Sequence, residues 1–239
     1  PTREFLAFEM LRIIAAMVVS ALADCPRGCP ERCPAQEAVQ TAWVRKNFDL
    51  AKFWGVYYEL AYHDNTQPHT WPIQATCMRS VKSQHPGDAK NYKDLFSLNF
   101  GAGGGKNAVC DLEFNITDKP GVFLGHWSGS MRPDLHSVSN TVVDVGVAAN
   151  GSYTWSLEFQ CKDDPTGGIQ FVAVNFYHRN PLVADSEFQE MMQRLRARGL
   201  GWAVDVDPGL TMVDQKKCVD HASYPPIDAP VHWCGQGLA

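Results

Sequence analysis

Cys25, Cys29 and Cys33 stand in the run CPRGCPERCP, each followed by a proline. Cysteines crowded in this way point to thiolate ligation of a metal or to disulfides. The prolines exclude a regular helix that would stack ligands at i,i+4. The spacing matches neither a zinc finger nor a common iron–sulfur run. Disulfides are the expectation, and because three is an odd set, at least one partner must lie elsewhere, Cys234 being the obvious candidate. The stretch GAGGGKN (101–107) imitates a phosphate-binding loop, but Phe100 stands where its first glycine belongs and Asn107 replaces the serine or threonine. It reads as a hairpin loop. His63, His69 and His85 share the early part of the chain without ligand spacing, and no Gly-x-Ser-x-Gly elbow or Cys–His pair stands out. No metal site and no catalytic residue is expected from these patterns.

The chain that must position any site has 239 residues, 45% of them apolar and 20% charged, enough to bury a core. A net charge of −5 without a long basic run argues against nucleic-acid binding. Eight cysteines, an even number, suit an oxidising compartment.

Residues 1–24 differ from the rest. EFLAFEMLRIIAAMVVSALA is long enough for a helix near the thickness of a bilayer core, interrupted by Glu9 and Arg12, which can pair at i,i+3. The shorter run Ile13 to Ala23 ends in small residues, in the layout of a transfer peptide. We expect residues 5–23 to form an apolar helix associated with a membrane and docked on an integral membrane complex, a buried soluble helix being the alternative. Residues 25–46 then form a Cys/Pro-rich linker, residues 47–218 the main domain, and 219–239 a cysteine-containing tail.

Within 47–218, short alternating stretches are separated by turn residues: 52–62, about 74–83, 94–100, 109–116, 121–129, 141–148, 153–161 and 169–179. Asn150-Gly151 between two of them is a strong hairpin signal. Eight antiparallel strands close into a barrel just wide enough for one small ligand. A helix from Ser186 to Gly199 follows, with Ser186 and Gln189 as a capping box and Phe188, Met192 and Leu195 as its apolar stripe. The fold class is mainly β, an eight-stranded up-and-down barrel with an N-terminal apolar helix and a C-terminal one.

The stretch NFDLAKFWGVYYELA resembles the first motif of the lipocalins, with Gly55, Tyr58 and Glu59 in place and Tyr57 where tryptophan is usual. The closing stretch is similar to the end of the apolipoprotein D-like branch, carried by Arg179, Asn180, Pro181, Asp214, Gln215 and Cys218. The second lipocalin motif, a Thr-Asp-Tyr turn, is not visible. The resemblance implies a barrel floor where Arg179 lies across Tyr57 beside Gly55, and a Cys77–Cys218 disulfide tying down the tail. Cys110 and Cys161 are left, and sharing the apolar phase of their strands they are candidates to pair, unless one is simply a small buried side chain. With Tyr57 inward, Glu59 and Ala61 share its face. The apolar phases elsewhere add Phe96, Leu98, Leu112, Phe114, Trp155, Leu157, Phe159, Phe171 and Tyr177 to a ligand-binding wall. Such a lining suits a lipid, a carotenoid or a tetrapyrrole, although a small barrel can also fill itself.

A Cys-rich segment followed by a barrel is also similar to the plant xanthophyll de-epoxidases, lipocalins of the thylakoid lumen. In that family an aspartate just before the second-strand cysteine is proposed as catalytic, whereas Ala75 and Thr76 precede Cys77 here. Thr76 cannot serve as that acid, so the catalysis is not carried over. Three roles follow: a carrier of a small hydrophobic ligand, an accessory subunit of a membrane complex (in a thylakoid if the second resemblance holds), and a de-epoxidase-like enzyme. A freely soluble secreted lipid carrier is the remaining alternative.

Overall fold

The computed structural model describes residues 29–65, 76–100, 106–126, 137–205 and 209–218. The helix expected over residues 5–23, together with Cys25 and Cys234, lies outside them. No described helix is long and apolar enough to cross a membrane.

Three short helices come first, α1 (Gln36–Val39), α2 (Ala42–Asn47) and α3 (Leu50–Phe53). The second and third are capped by their own sequence: the Thr41 side chain accepts from the Val44 amide and Asp49 from that of Ala51. Eight strands follow: β1 (Gly55–Asp64), β2 (Thr76–Gln84), β3 (Asn91–Phe100), β4 (Lys106–Ile116), β5 (Val122–His126), β6 (Val138–Val147), β7 (Tyr153–Asp163) and β8 (Ile169–His178). Each pairs antiparallel with the next, and β1 closes the ring by pairing with both β8 and β2. The eight-stranded up-and-down barrel expected from the alternation is what forms. At the Asn150-Gly151 turn, Asn150 Oδ1 accepts from the Ser152 amide at 3.0 Å while Gly151 takes a φ of +80°, which costs little only for glycine.

A two-residue strand, β9 (Thr211–Met212), is an addition that the alternation did not reveal. β2 pairs with β1 only over Gly55–Tyr58; beyond that β9 takes its place, opposite Ala61 and Tyr62. The Cys77–Cys218 disulfide, Cα–Cα 5.6 Å, holds this closing segment, and Gln215 donates to the main-chain oxygens of both Glu59 and Met78. The tail thus completes the barrel wall.

Helix α4 (Asp185–Ala197) lies on the outside, its buried Met191, Met192 and Leu195 packed on β1, β6, β7 and β8, and its Phe188 ring 5.4 Å from Phe176. Burying side chains of this size contributes about 1.5–3 kcal/mol each. The expected capping box does not form. The helix starts at Asp185 with Ala184 at its cap, and the first-turn carboxylates Asp185 and Glu187 complement the exposed amides instead.

The cysteine pairing differs from expectation in one respect. Cys161 is joined to Cys33, Cα–Cα 5.8 Å, not to Cys110. Cys110 shares the inward phase of Phe114, whereas Cys161 shares the outward phase of Phe159, so the barrel wall separates them. The Cys33 amide donates to Asp163 at 2.7 Å, fixing the N-terminal segment against the end of β7. Cys29 and Cys110 are disulfide-bonded as well. Such bonds fit an oxidising compartment.

Candidate ligand-binding interior

The turns joining β2 to β3, β4 to β5 and β6 to β7 mark one end of the barrel, and there α2 and α3 bring Phe48 and Phe53 under the strands. Phe53 stacks on Phe123 at 5.8 Å, Tyr92 on Phe114 at 4.8 Å, and Tyr57 lies 5.8 Å from Phe53. Arg179 seals this floor. Its guanidinium carbon sits 3.7 Å from the centre of the Tyr57 ring, and its nitrogens donate to the carbonyls of Val56 at 2.9 Å, Trp54 at 2.7 Å, Lys52 at 3.2 Å, Phe53 at 3.4 Å and Tyr153 at 3.3 Å. Gly55 has a φ of +114°, and a Cβ there would lie 2.7 Å from Arg179 Nη1. A glycine therefore stands between Trp54 and Val56 because the arginine occupies the space a side chain would need.

Above the floor lies a polar layer. Lys82, 1% exposed, contacts Asp94 at 2.7 Å and Glu158 at 3.3 Å. Ser80 donates to Asp94 at 2.6 Å; Ser156 and Asn140 donate to Glu158 at 2.9 and 2.8 Å. The Lys82 ammonium also lies 4.7 Å from the Tyr177 ring and 5.2 Å from that of Phe53. Burial works against its charge, but Asp94 and Glu158 outweigh burial and hold the ammonium above the ordinary lysine range. Glu59 adjoins this layer. Asn175 donates to its Oε1 at 2.6 Å, while its Oε2, equally buried, has no hydrogen-bond partner among the described residues. Burial pushes the carboxyl up to about 8, the Asn175 bond opposing the shift and Glu158 adding to it.

Beyond the polar layer the interior turns apolar. Tyr62, Met78, Leu98 and Val213 form one cluster with Phe96 against it, and Val138, Phe171 and Ala173 form another. The residues expected to line a ligand wall therefore divide. Phe96, Leu98 and Phe171 occupy this half, and Glu59 stands at its inner boundary. Tyr57, Phe114 and Tyr177, with Leu112 against them, belong to the packed floor. Ala61, Trp155, Leu157 and Phe159 face outward, into the core beneath α4, which corrects their assignment to the wall. On β1 the cause is local: an irregularity in pairing between Glu59 and Ala61 shifts the register by one residue, which reverses the face; on β7 the apolar phase is the outer one, because α4 covers it.

Glu158 was missed because its phase on β7 was assigned to solvent; Asp94 shares the inward phase of Phe96 and Leu98 but is not apolar, and no phase was assigned to the strand that carries Lys82. The usable signal was on β7, where Ser156 and Glu158 face Tyr177 and Asn175 on β8 once the shifted register is applied.

A buried acid that is neutral when folded binds a proton on folding. The unfolded glutamate titrates near 4.5 and the folded one near 8, so the stabilising contribution is complete below the lower value and is lost as pH rises through the higher. Glu59→Gln removes this dependence. The wild-type protein should lose stability relative to the variant between pH 5 and pH 8, by up to about 1.4 kcal/mol per pH unit. Denaturant unfolding at several pH values measures it; parallel profiles for the two proteins would mean that Glu59 is not proton-bound in the fold.

No family model and no curated protein matches the sequence. Solved structures similar in fold include apocrustacyanin C2, at 12% identity and a TM-score of 0.54 over 78% of this chain and 90% of that one; lobster apocrustacyanin A1, at 10% and 0.55 over 80% and 92%; and apocrustacyanin C1, at 11% and 0.54 over 80% and 90%. At such identities the likeness speaks for architecture, and the architecture is the lipocalin fold.

Proposed function

We propose that this protein binds a small, elongated, largely apolar ligand, a lipid or a carotenoid, in the half of the barrel beyond Lys82, Asp94 and Glu158. One observation supports this most directly: the two halves of the interior are built differently. The floor half is filled by stacked aromatics and sealed by Arg179. The other half is walled by Tyr62, Met78, Phe96, Leu98 and Phe171, and its end is where β1–β2, β3–β4, β5–β6 and β7–β8 connect. Past Asp94, β3 runs on to Phe100. At about 3.3 Å per residue and a tilt of about 40°, that gives a depth of roughly 15 Å. Such a depth suits one alkyl or polyene end.

The test is titration of delipidated protein with a fatty alcohol and with a xanthophyll. Saturable one-to-one binding is expected. Met78→Trp and Leu98→Trp, which fill the apolar half, should weaken it about tenfold. Trp155→Ala, on the outer face, should leave it within about twofold. Failure of every apolar probe to saturate would overturn the reading.

A further inference from the structure

Resting on that reading, we propose that the inner end of the ligand carries a positively charged, hydrogen-bond-donating group, of the alkylammonium kind, received by Glu59. The buried polar layer sets three carboxyl groups, Glu59, Asp94 and Glu158, against the one fully buried ammonium, that of Lys82. Both oxygens of Asp94 are occupied, by Ser80 and Lys82. Those of Glu158 are held by Ser156, Asn140 and Lys82. Lys82 is thus shared between two carboxyl groups, and the layer holds an excess of carboxyl groups over the ammonium that meets them.

Glu59 is where that excess can be met. It is 1% exposed, its Oε1 is held by Asn175, and its Oε2 has no partner among the described residues. Asn175 is the ladder partner of Tyr62, the first residue of the apolar half, so the carboxyl stands where the polar layer meets the ligand space. Among the described residues Asn140 Oδ1 is a second buried acceptor without a hydrogen-bond partner. A buried acceptor left unpaired is costly. An ammonium offers several donors and the missing charge together. A hydroxyl offers one donor and no charge, and a carboxylate head would add to the excess.

The groups acting on Glu59 electrostatically are Lys82 from β2, Asp94 from β3 and Glu158 from β7. Glu59 in turn acts on the phenols of Tyr62, on its own strand, and Tyr177 from β8. Gln215, from the closing segment, engages only its main-chain oxygen. Lys82 is committed to the other two carboxylates, so no second cation competes for Glu59 among these groups. With the carboxyl protonated at pH 7, an arriving ammonium donates to Oε2, and the proton leaves Glu59 for the buffer.

Calorimetry of the full chain at pH 7 with dodecylamine, dodecanol and dodecanoate, in two buffers of different ionisation enthalpy, tests this. Dodecylamine should bind at least about tenfold more tightly than dodecanol, dodecanoate should bind most weakly, and the amine alone should release close to one proton. Glu59→Gln should bring amine affinity down to that of the alcohol and abolish proton release. Equal affinity for amine and alcohol, or tightest binding of dodecanoate, would overturn the head-group inference while leaving apolar binding intact. Failure of all three to bind would overturn the function proposed above as well.

Discussion

Arg179→Ala should lower the free energy of unfolding by about 3 kcal/mol, and Arg179→Lys should recover less than half of that. One guanidinium gathers the carbonyls of Lys52, Phe53, Trp54, Val56 and Tyr153, which come from α3, the start of β1 and the start of β7, and lies on the Tyr57 ring. Its removal opens those carbonyls to imperfect hydration and leaves a gap beside Phe53, which is fully buried. The ring contact adds roughly 0.5–2 kcal/mol. Lysine cannot spread the same forked set of donors. Gly55 supplies an independent check: Gly55→Ala places a methyl 2.7 Å from Nη1 on a backbone that disfavours it, and should push the arginine off the ring. Denaturant unfolding followed by tryptophan fluorescence reads both variants. A loss below about 0.5 kcal/mol for Arg179→Ala would mean that the arginine decorates the floor rather than holding it.

What the sequence made legible and what it hid have the same cause. Strand positions follow from alternation and turn chemistry, which are local, and eight of them were readable. Gly55, Tyr57, Arg179, Cys77 and Cys218 were readable through a motif resemblance, and the structure brings each group together. Facing was readable on β3, β4 and β8 but not at Ala61 or on β7. On β7 it is Ser156, not Trp155, that stands opposite the inward Tyr177. The shift at Glu59/Ala61 sends Ala61 to the outer core. Apolar side chains on the outer face of β7 looked like a ligand wall because α4 covers them, and a covered outer face is as apolar as a lined inner one. Cys33–Cys161 was hidden for a different reason: a contact 128 residues apart leaves no local trace.

The largest effect belongs to the residue that alternation hid best. Lys82→Met should cost about 3–5 kcal/mol, a large part of what holds an ordinary domain together. The methionine fills the space beside Phe53 and Tyr177, so the loss is not one of packing. Asp94 and Glu158 stay buried, at 3% and 2% exposure, with their serine and asparagine donors but without a counter-charge. The triple variant Lys82→Met, Asp94→Asn, Glu158→Gln separates charge from shape: it keeps the outlines and removes every formal charge of the trio. It should recover at least half of the loss, since a buried ion network is expensive to break and much less expensive to replace whole. Unfolding free energies of the three proteins decide the matter. If the triple variant is no more stable than Lys82→Met, or the single variant loses under about 1 kcal/mol, the network is not what organises the middle of the barrel. If the expected order holds, the lysine keeps an acidic layer folded, and Glu59 is the carboxyl of that layer left without a cation of its own.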